Sequence, residues 1–134
     1  MHARSSYDYA IVRVVPRVER EEFVNVGVIL SCPSSGFLEA RIELDEQRLL
    51  SLDPTADLDS IRSHLHSLSL VATGGPDAGP IGRLSQRERF HWLVAPRSTI
   101  IQTSAVHTGR CTAPADTMAL LLERMVRKGR GVMG

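Results

Sequence analysis

The chain has 134 residues, 43% of them hydrophobic, and a formal charge of +1. This composition predicts a single globular domain and excludes disordered, collagenous and coiled-coil classes. The near-zero charge also argues against bulk nucleic-acid binding, and no apolar run approaches the ~18–20 residues of a membrane helix.

From the N-terminus, Met1–Ser6 leads straight into strand-like sequence, which reads as a chain without a signal peptide. Tyr7–Arg17 is the first predicted strand, rich in β-branched and aromatic residues. Ala10, Val12 and Val14 make one apolar face; Tyr9, Ile11 and Val15 make the other, interrupted by Arg13. Polar Arg17–Glu22 is a connector. Phe23–Cys32 is a second strand, with Val24, Val26, Val28, Leu30 and Cys32 on one unbroken apolar face and a mixed face of Phe23, Asn25, Gly27, Ile29 and Ser31. Pro33-Ser34-Ser35-Gly36 is a turn signal, and Phe37–Leu44 alternates cleanly as a third strand.

Asp45 caps a predicted short helix running to Leu52, and Asp57 or Asp59 starts a longer one with Leu58, Ile61, Leu65 and Leu68 on one face. Thr73–Gly82 is a Gly/Pro-rich loop. Phe90–Pro96 and Thr99–Ser104 read as two more strands, and Thr112–Lys128 as a terminal helix with Thr112 as its cap and Leu121, Leu122, Met125 and Val126 on its buried face. The expected ordered core runs over residues 6–129, with a loose tail at Arg130–Gly134. Together these elements predict an α+β fold, with a mostly antiparallel sheet of about five strands and two to three helices packed on one face.

The charge is unevenly placed. Residues 1–73 carry a balance of −4 and residues 74–134 a balance of +5, and Lys128 is the only lysine among sixteen cations. Guanidinium favours bidentate pairing with carboxylate or phosphate. If the Phe90 strand extends back to Arg87, its period of two sets Arg87, Arg89 and His91 on one face, with Phe90, Trp92 and Val94 in the core behind them. Such a row repels itself unless an anion compensates. Arg97, Ser98, Thr99, Gln102 and His107 add donors downstream. Arg13 and Asn25 interrupt apolar strands and need partners or exposure. An anion site sharing Arg13, Asn25 and His91 on one face is the sharper reading; a solvated strand edge bearing charges is the alternative.

The remaining constellations are weaker. The glycines from Gly74 to Gly82 lack the Gly-Lys-Ser/Thr ending of a phosphate loop. Neither His107 with Cys111 nor His64 with His66 makes a zinc set, so no metal and no cofactor are expected. Cys111, beside His107 and Arg110, is a candidate activated thiol, and Cys32 a packed one. Two cysteines are too few for a secreted disulfide framework, which makes a reducing, cytoplasmic setting the expectation.

Two blocks are specific in combination. Tyr7-Asp8-Tyr9-Ala10-Ile11-Val12-Arg13-Val14-Val15-Pro16 is followed by Glu22-Phe23-Val24-Asn25-Val26-Gly27-Val28-Ile29-Leu30. Later come Arg87 to Thr99, Gln102-Thr103-Ser104 and Val106-His107-Thr108-Gly109. Over nearly the whole chain this resembles the bacterial DUF3037 family, which has no assigned function and supplies no catalytic residues. The resemblance implies a place beside HipA-like serine/threonine kinases, as a partner or accessory. Three readings follow. The first is a small cytoplasmic accessory or binding module acting with a protein partner. The second is an enzyme or binding protein for a phosphorylated or carboxylated small molecule at the Arg/His block. The third is a nucleic-acid module, for which 4% aromatic residues leave little base stacking. A homodimer through a sheet edge or the terminal helix is compatible with the pattern.

Overall fold

The computed structural model describes residues 3–97 and 99–127. Among these residues five strands form: β1 (Ser5–Val14), β2 (Val24–Cys32), β3 (Phe37–Ile42), β4 (Ile101–Thr103) and β5 (His107–Cys111). They make one sheet, antiparallel throughout, in the order β3-β2-β1-β4, with β5 also pairing β1. Four α-helices accompany them: α1 (Glu46–Leu52), α2 (Leu58–Thr73), α3 (Gln86–Val94) and α4 (Pro114–Leu121). The α+β class and the antiparallel sheet are as the sequence predicts.

β1 is the interior strand. β2 runs along one side of it; on the other, β4 pairs Val12–Val14 and β5 pairs Ser5–Tyr9. Between those two ladders the buried Ser104 fills the gap. Its hydroxyl accepts from the Ile11 N–H at 2.9 Å, and its own N–H donates to the Ile11 carbonyl at 2.8 Å. Buried backbone groups are rarely left unpaired, so this serine is part of the ladder rather than of a site.

Both faces of the sheet are covered. Val12 and Val14 pack with Leu49 of α1, with Ile61, Leu65, Leu68 and Val71 of α2, and with Phe90 and Leu93 of α3. Ile11, Val28, Leu30 and Cys32 pack instead with Met118, Leu121, Leu122 and Val126 at the C-terminal end. Three helices thus share one face, α3 among them in place of an expected strand, while α4, expected on that same face, closes the other. The second apolar face of β1 requires such a cover.

A β-bulge sets this arrangement. Val12 pairs with Gly27, but the next residue, Arg13, pairs with Asn25, so Val26 is extra on β2. The expected unbroken face from Val24 to Cys32 is therefore split. Val24 and Val26 join the α2 side, whereas Val28, Leu30 and Cys32 join the α4 side.

Capping chemistry places α1 and α2 as predicted. The Asp45 carboxylate accepts from the Arg48 N–H at 3.2 Å and the Asp57 carboxylate from the Ser60 N–H at 3.1 Å. The Gly/Pro-rich segment winds as 3₁₀ turns over Pro76–Arg83, broken at Gly79, whose φ is +70°. The terminal helix differs from expectation. It starts after Ala113 with no side-chain cap, so Thr112 does not serve, and it widens into a π-helical turn at Leu122–Val126. That turn leaves Met125 exposed, while side chains from the sheet and α1 take its carbonyls: Asn25 Nδ2 donates to Met125 O at 3.0 Å and Arg48 Nη1 to Val126 O at 3.1 Å. The expected tail Arg130–Gly134 and the last helical residue, Lys128, lie outside the described residues.

Gly27 lets β3 close on the bulge. A Cβ there would lie 2.6 Å from Ile42 Cδ1 and 2.7 Å from the Arg41 carbonyl oxygen. Because one of those neighbours is backbone, Gly27→Ala is expected to cost about 1–3 kcal/mol, measured as a lowered urea midpoint with unchanged slope.

Candidate functional site

The Arg87–His91 block is helical. Ser85 and Glu88 form a capping box: the Glu88 N–H donates to Ser85 Oγ at 3.2 Å, and the Ser85 N–H donates to Glu88 Oε1 at 3.1 Å. The Ser85 backbone and hydroxyl donors hold the Glu88 carboxyl below its usual range. On a helix each residue turns about 100°, so Arg87 and Arg89 point away from one another instead of sharing a face. The predicted strand Phe90–Pro96 is corrected accordingly. Phe90 and Leu93 are buried, and Trp92, expected in the core, is 37% exposed.

This geometry disperses the expected anion row. Arg87 and His91 are exposed on α3. Arg89 turns back onto the end of α2, where its Nη1 donates to the Val71 and Ala72 carbonyls at 3.0 and 2.5 Å. Those are two of the acceptors that a helix end leaves without intrahelical partners. Gly74, with φ +81°, ends α2 and leaves room for the guanidinium; a Cβ there would lie 3.0 Å from Arg89 Cζ. Arg97 does the same for α3. Its two Nη atoms donate to the Leu93 and Trp92 carbonyls at 3.0 and 2.8 Å, and its head lies 4.8 Å over the Trp92 ring.

Other predicted residues also separate. Thr99 is exposed, its hydroxyl donating to the Ile101 carbonyl at 3.0 Å. His107 is on β5 beside Tyr9, ring centroids 5.3 Å apart. Cys111 is buried, opposite Ser5. Four residues along a strand separate Cys111 from His107 by about 13 Å, too far for a thiol–base pair. Ser98 lies outside the described residues. Among the described residues, no three His, Cys, Asp or Glu side chains could together hold a metal ion.

What does converge is a row across the sheet. Asn25 on β2, Arg13 on β1 and Gln102 on β4 are register partners. Arg13 is half-buried with its guanidinium 4.2 Å over the Phe23 ring. Its Nε is buried without a hydrogen-bond partner among the described residues, as is Asn25 Oδ1. Arg13 makes no ion pair among the described residues. Arg13, Gln102, Phe23 and Arg97 line a cleft of about 490 Å³ together with Val15, Val18, Glu19 and Glu21. Gln102 is oriented by donating to the Thr99 carbonyl at 2.8 Å. Of the predicted anion ligands, Arg13, Arg97 and Gln102 therefore meet, with Asn25 alongside; His91 does not join them.

Val15, Phe23, Val18, Glu19 and Glu21 are the site residues that the sequence reading missed. The polar connector that carries three of them folds as a 3₁₀ turn at Val18–Arg20, with Glu21 in a left-handed conformation at φ 56°. Phe23 had a signal, since it shares the mixed face of its strand with Asn25 two residues on.

Separating the capping arginines from the cleft gives a direct check. Arg89→Gln is expected to destabilise the fold by about 1–3 kcal/mol through loss of charged hydrogen bonds, whereas Arg87→Gln, on the exposed face, stays within about 0.5 kcal/mol of the parent. Urea unfolding of both variants measures the difference.

Among the described residues no helix is long and apolar enough to cross a membrane. No curated protein and no solved structure matches the chain. The model of a family described as a protein of unknown function, DUF3037, matches residues 9–126, a span that holds the sheet apart from the start of β1, with the bulge and the Arg13 cleft. By that match the chain belongs to the DUF3037 family.

Proposed function

We propose that this protein is a non-enzymatic accessory module that binds an anionic group, a carboxylate or phosphate, presented by a protein partner at the Arg13 cleft. The observation that carries the proposal is the state of Arg13: a half-buried guanidinium that, among the described residues, has no ion pair and a buried Nε lacking an acceptor. An unsatisfied buried donor costs about 1–3 kcal/mol, and an anion in the cleft balances the guanidinium charge that has no internal counter-ion among the described residues. Arg89, in contrast, donates from Nε and Nη1 to three main-chain carbonyls.

A protein partner is favoured by what surrounds the charge. Val18, Phe23 and Trp92 are large apolar side chains left 39%, 44% and 37% exposed around the two arginines. Aromatic residues and arginine are the types that concentrate binding energy at protein interfaces. The HipA-like kinase implied by the family resemblance, in a cytoplasmic setting, belongs to the same proposal.

A second reading, a phosphorylated or carboxylated small molecule, is favoured by the cleft volume of about 490 Å³, which is within the range of small-ligand sites. The nucleic-acid reading gains no support, since Arg89 and Arg97 are engaged with helix-end carbonyls.

Thermal melting of the parent and Arg13→Gln, against small carboxylates and phosphorylated compounds at matched ionic strength, tests the site. At 100 times its dissociation constant a ligand adds ~2.7 kcal/mol. At least one anion is expected to raise the melting temperature of the parent and not of the variant. Equal responses in both proteins, or none in either, would refute the Arg13 site.

A further inference from the structure

We propose that a second subsite, an apolar cup on the other side of Arg97, takes a large apolar side chain of the same partner. The recognised epitope is then a short peptide segment that pairs an acidic residue with a leucine-sized or aromatic one. This inference rests on the reading of Arg13 given above and names the partner's chemistry.

The cup holds about 260 Å³ and is lined by Leu68 of α2, Trp92 of α3, Ile100 and Ile101, with His64 and Thr99 at its polar margin. Its remaining wall is Arg97, which also lines the Arg13 cleft, so the two depressions are contiguous across one side chain. That wall is fixed. The Arg97 guanidinium is pinned by two carbonyls and lies against the Trp92 ring. A pinned wall between an apolar depression and the one that holds Arg13 costs a ligand little ordering entropy.

Charge and shape then select the occupant. On the cleft side, Arg13 calls for an anion. On the cup side, the Leu68, Ile100 and Trp92 surfaces call for apolar atoms, and each CH₂ buried there contributes about 0.8 kcal/mol. A free phosphate or small carboxylate satisfies only Arg13 and leaves the cup to water. An extended peptide, with side chains on both sides of Arg97, fills both. Exposed Phe23, 4.2 Å from the Arg13 guanidinium, extends the apolar rim past the charge.

Trp92 is the only tryptophan and is 37% exposed in the cup, so its emission reports occupancy there without a label. End-blocked peptides carrying one glutamate and one leucine, separated by one to four residues, are titrated against the parent, Arg13→Gln and Thr99→Arg. Versions with Glu→Gln or Leu→Ala serve as references, and a phosphoserine version distinguishes a phosphate from a carboxylate source. Thr99 is exposed, so the arginine introduced there obstructs the cup without entering the core; melting curves confirm that both variants fold.

At one spacing, the matched peptide is expected to bind about tenfold tighter than either reference and to shift Trp92 emission to the blue. Thr99→Arg removes the leucine dependence and keeps the glutamate dependence, and Arg13→Gln does the reverse. If leucine adds nothing at any spacing while glutamate and Arg13 still matter, the cup is overturned and the anion site stands. If no peptide binds saturably but small anions still stabilise the parent through Arg13, the peptide epitope is overturned alone. If those anions also fail, both readings fall.

Discussion

The structure is organised by the confinement of β1. It is paired on both sides, by β2 along one and by β4 and β5 along the other, and helices cover both of its faces. A strand so placed has little room for charge, and β1 accordingly runs Ala10-Ile11-Val12 and Val14 almost without exposure, as does Val15 just after it. Arg13 breaks that run. The bulge opposite it brings Asn25 rather than Val26 alongside, and β4 supplies Gln102 on the other side. One charged residue in an interior strand thereby gains polar neighbours from both flanks, and its head emerges at Phe23, where the cleft begins.

Arginine performs a different task elsewhere. Arg89, Arg97 and Arg48 each reach the carbonyls of a helix end, on α2, α3 and the π-helical turn respectively. A planar guanidinium suits this because one fork can donate to two adjacent acceptors. The excess positive charge of the second half of the chain is therefore partly structural. It neutralises the negative ends of helix dipoles rather than forming an extended basic face. Arg97 serves both purposes, since the side chain that caps α3 is also the partition between cleft and cup.

Much of this was legible in the residues. Alternation marked β1 to β3, and Asp45 and Asp57 marked the starts of α1 and α2, because amphipathic period and capping are local properties. The expected strand over Phe90–Pro96 failed because its aromatic and branched residues favour strands when read alone. The Ser85–Glu88 capping box, a signal four residues long, favours a helix and prevails. β5 went unpredicted because its residues from His107 to Arg110 alternate in neither polarity nor burial, as an edge strand without a deep apolar face allows. The strand count matched expectation only because one strand was lost and another gained. At the site, Arg13 and Asn25 announced themselves as polar residues in apolar strands. Their juxtaposition, and the recruitment of Phe23, depend on a register shift that no single-strand pattern encodes.

The central claim is that Arg13, unlike Arg89 and Arg97, is left for an external anion. Nuclear magnetic resonance of the arginine Nε–H groups during phosphate and acetate titrations tests it at the atom concerned, with the Arg13 signal assigned by its loss in Arg13→Lys. The account predicts a saturable shift of the Arg13 resonance while those of Arg89 and Arg97 hold still. A motionless Arg13 signal, or saturation centred on Arg87 or Arg89 instead, would contradict it.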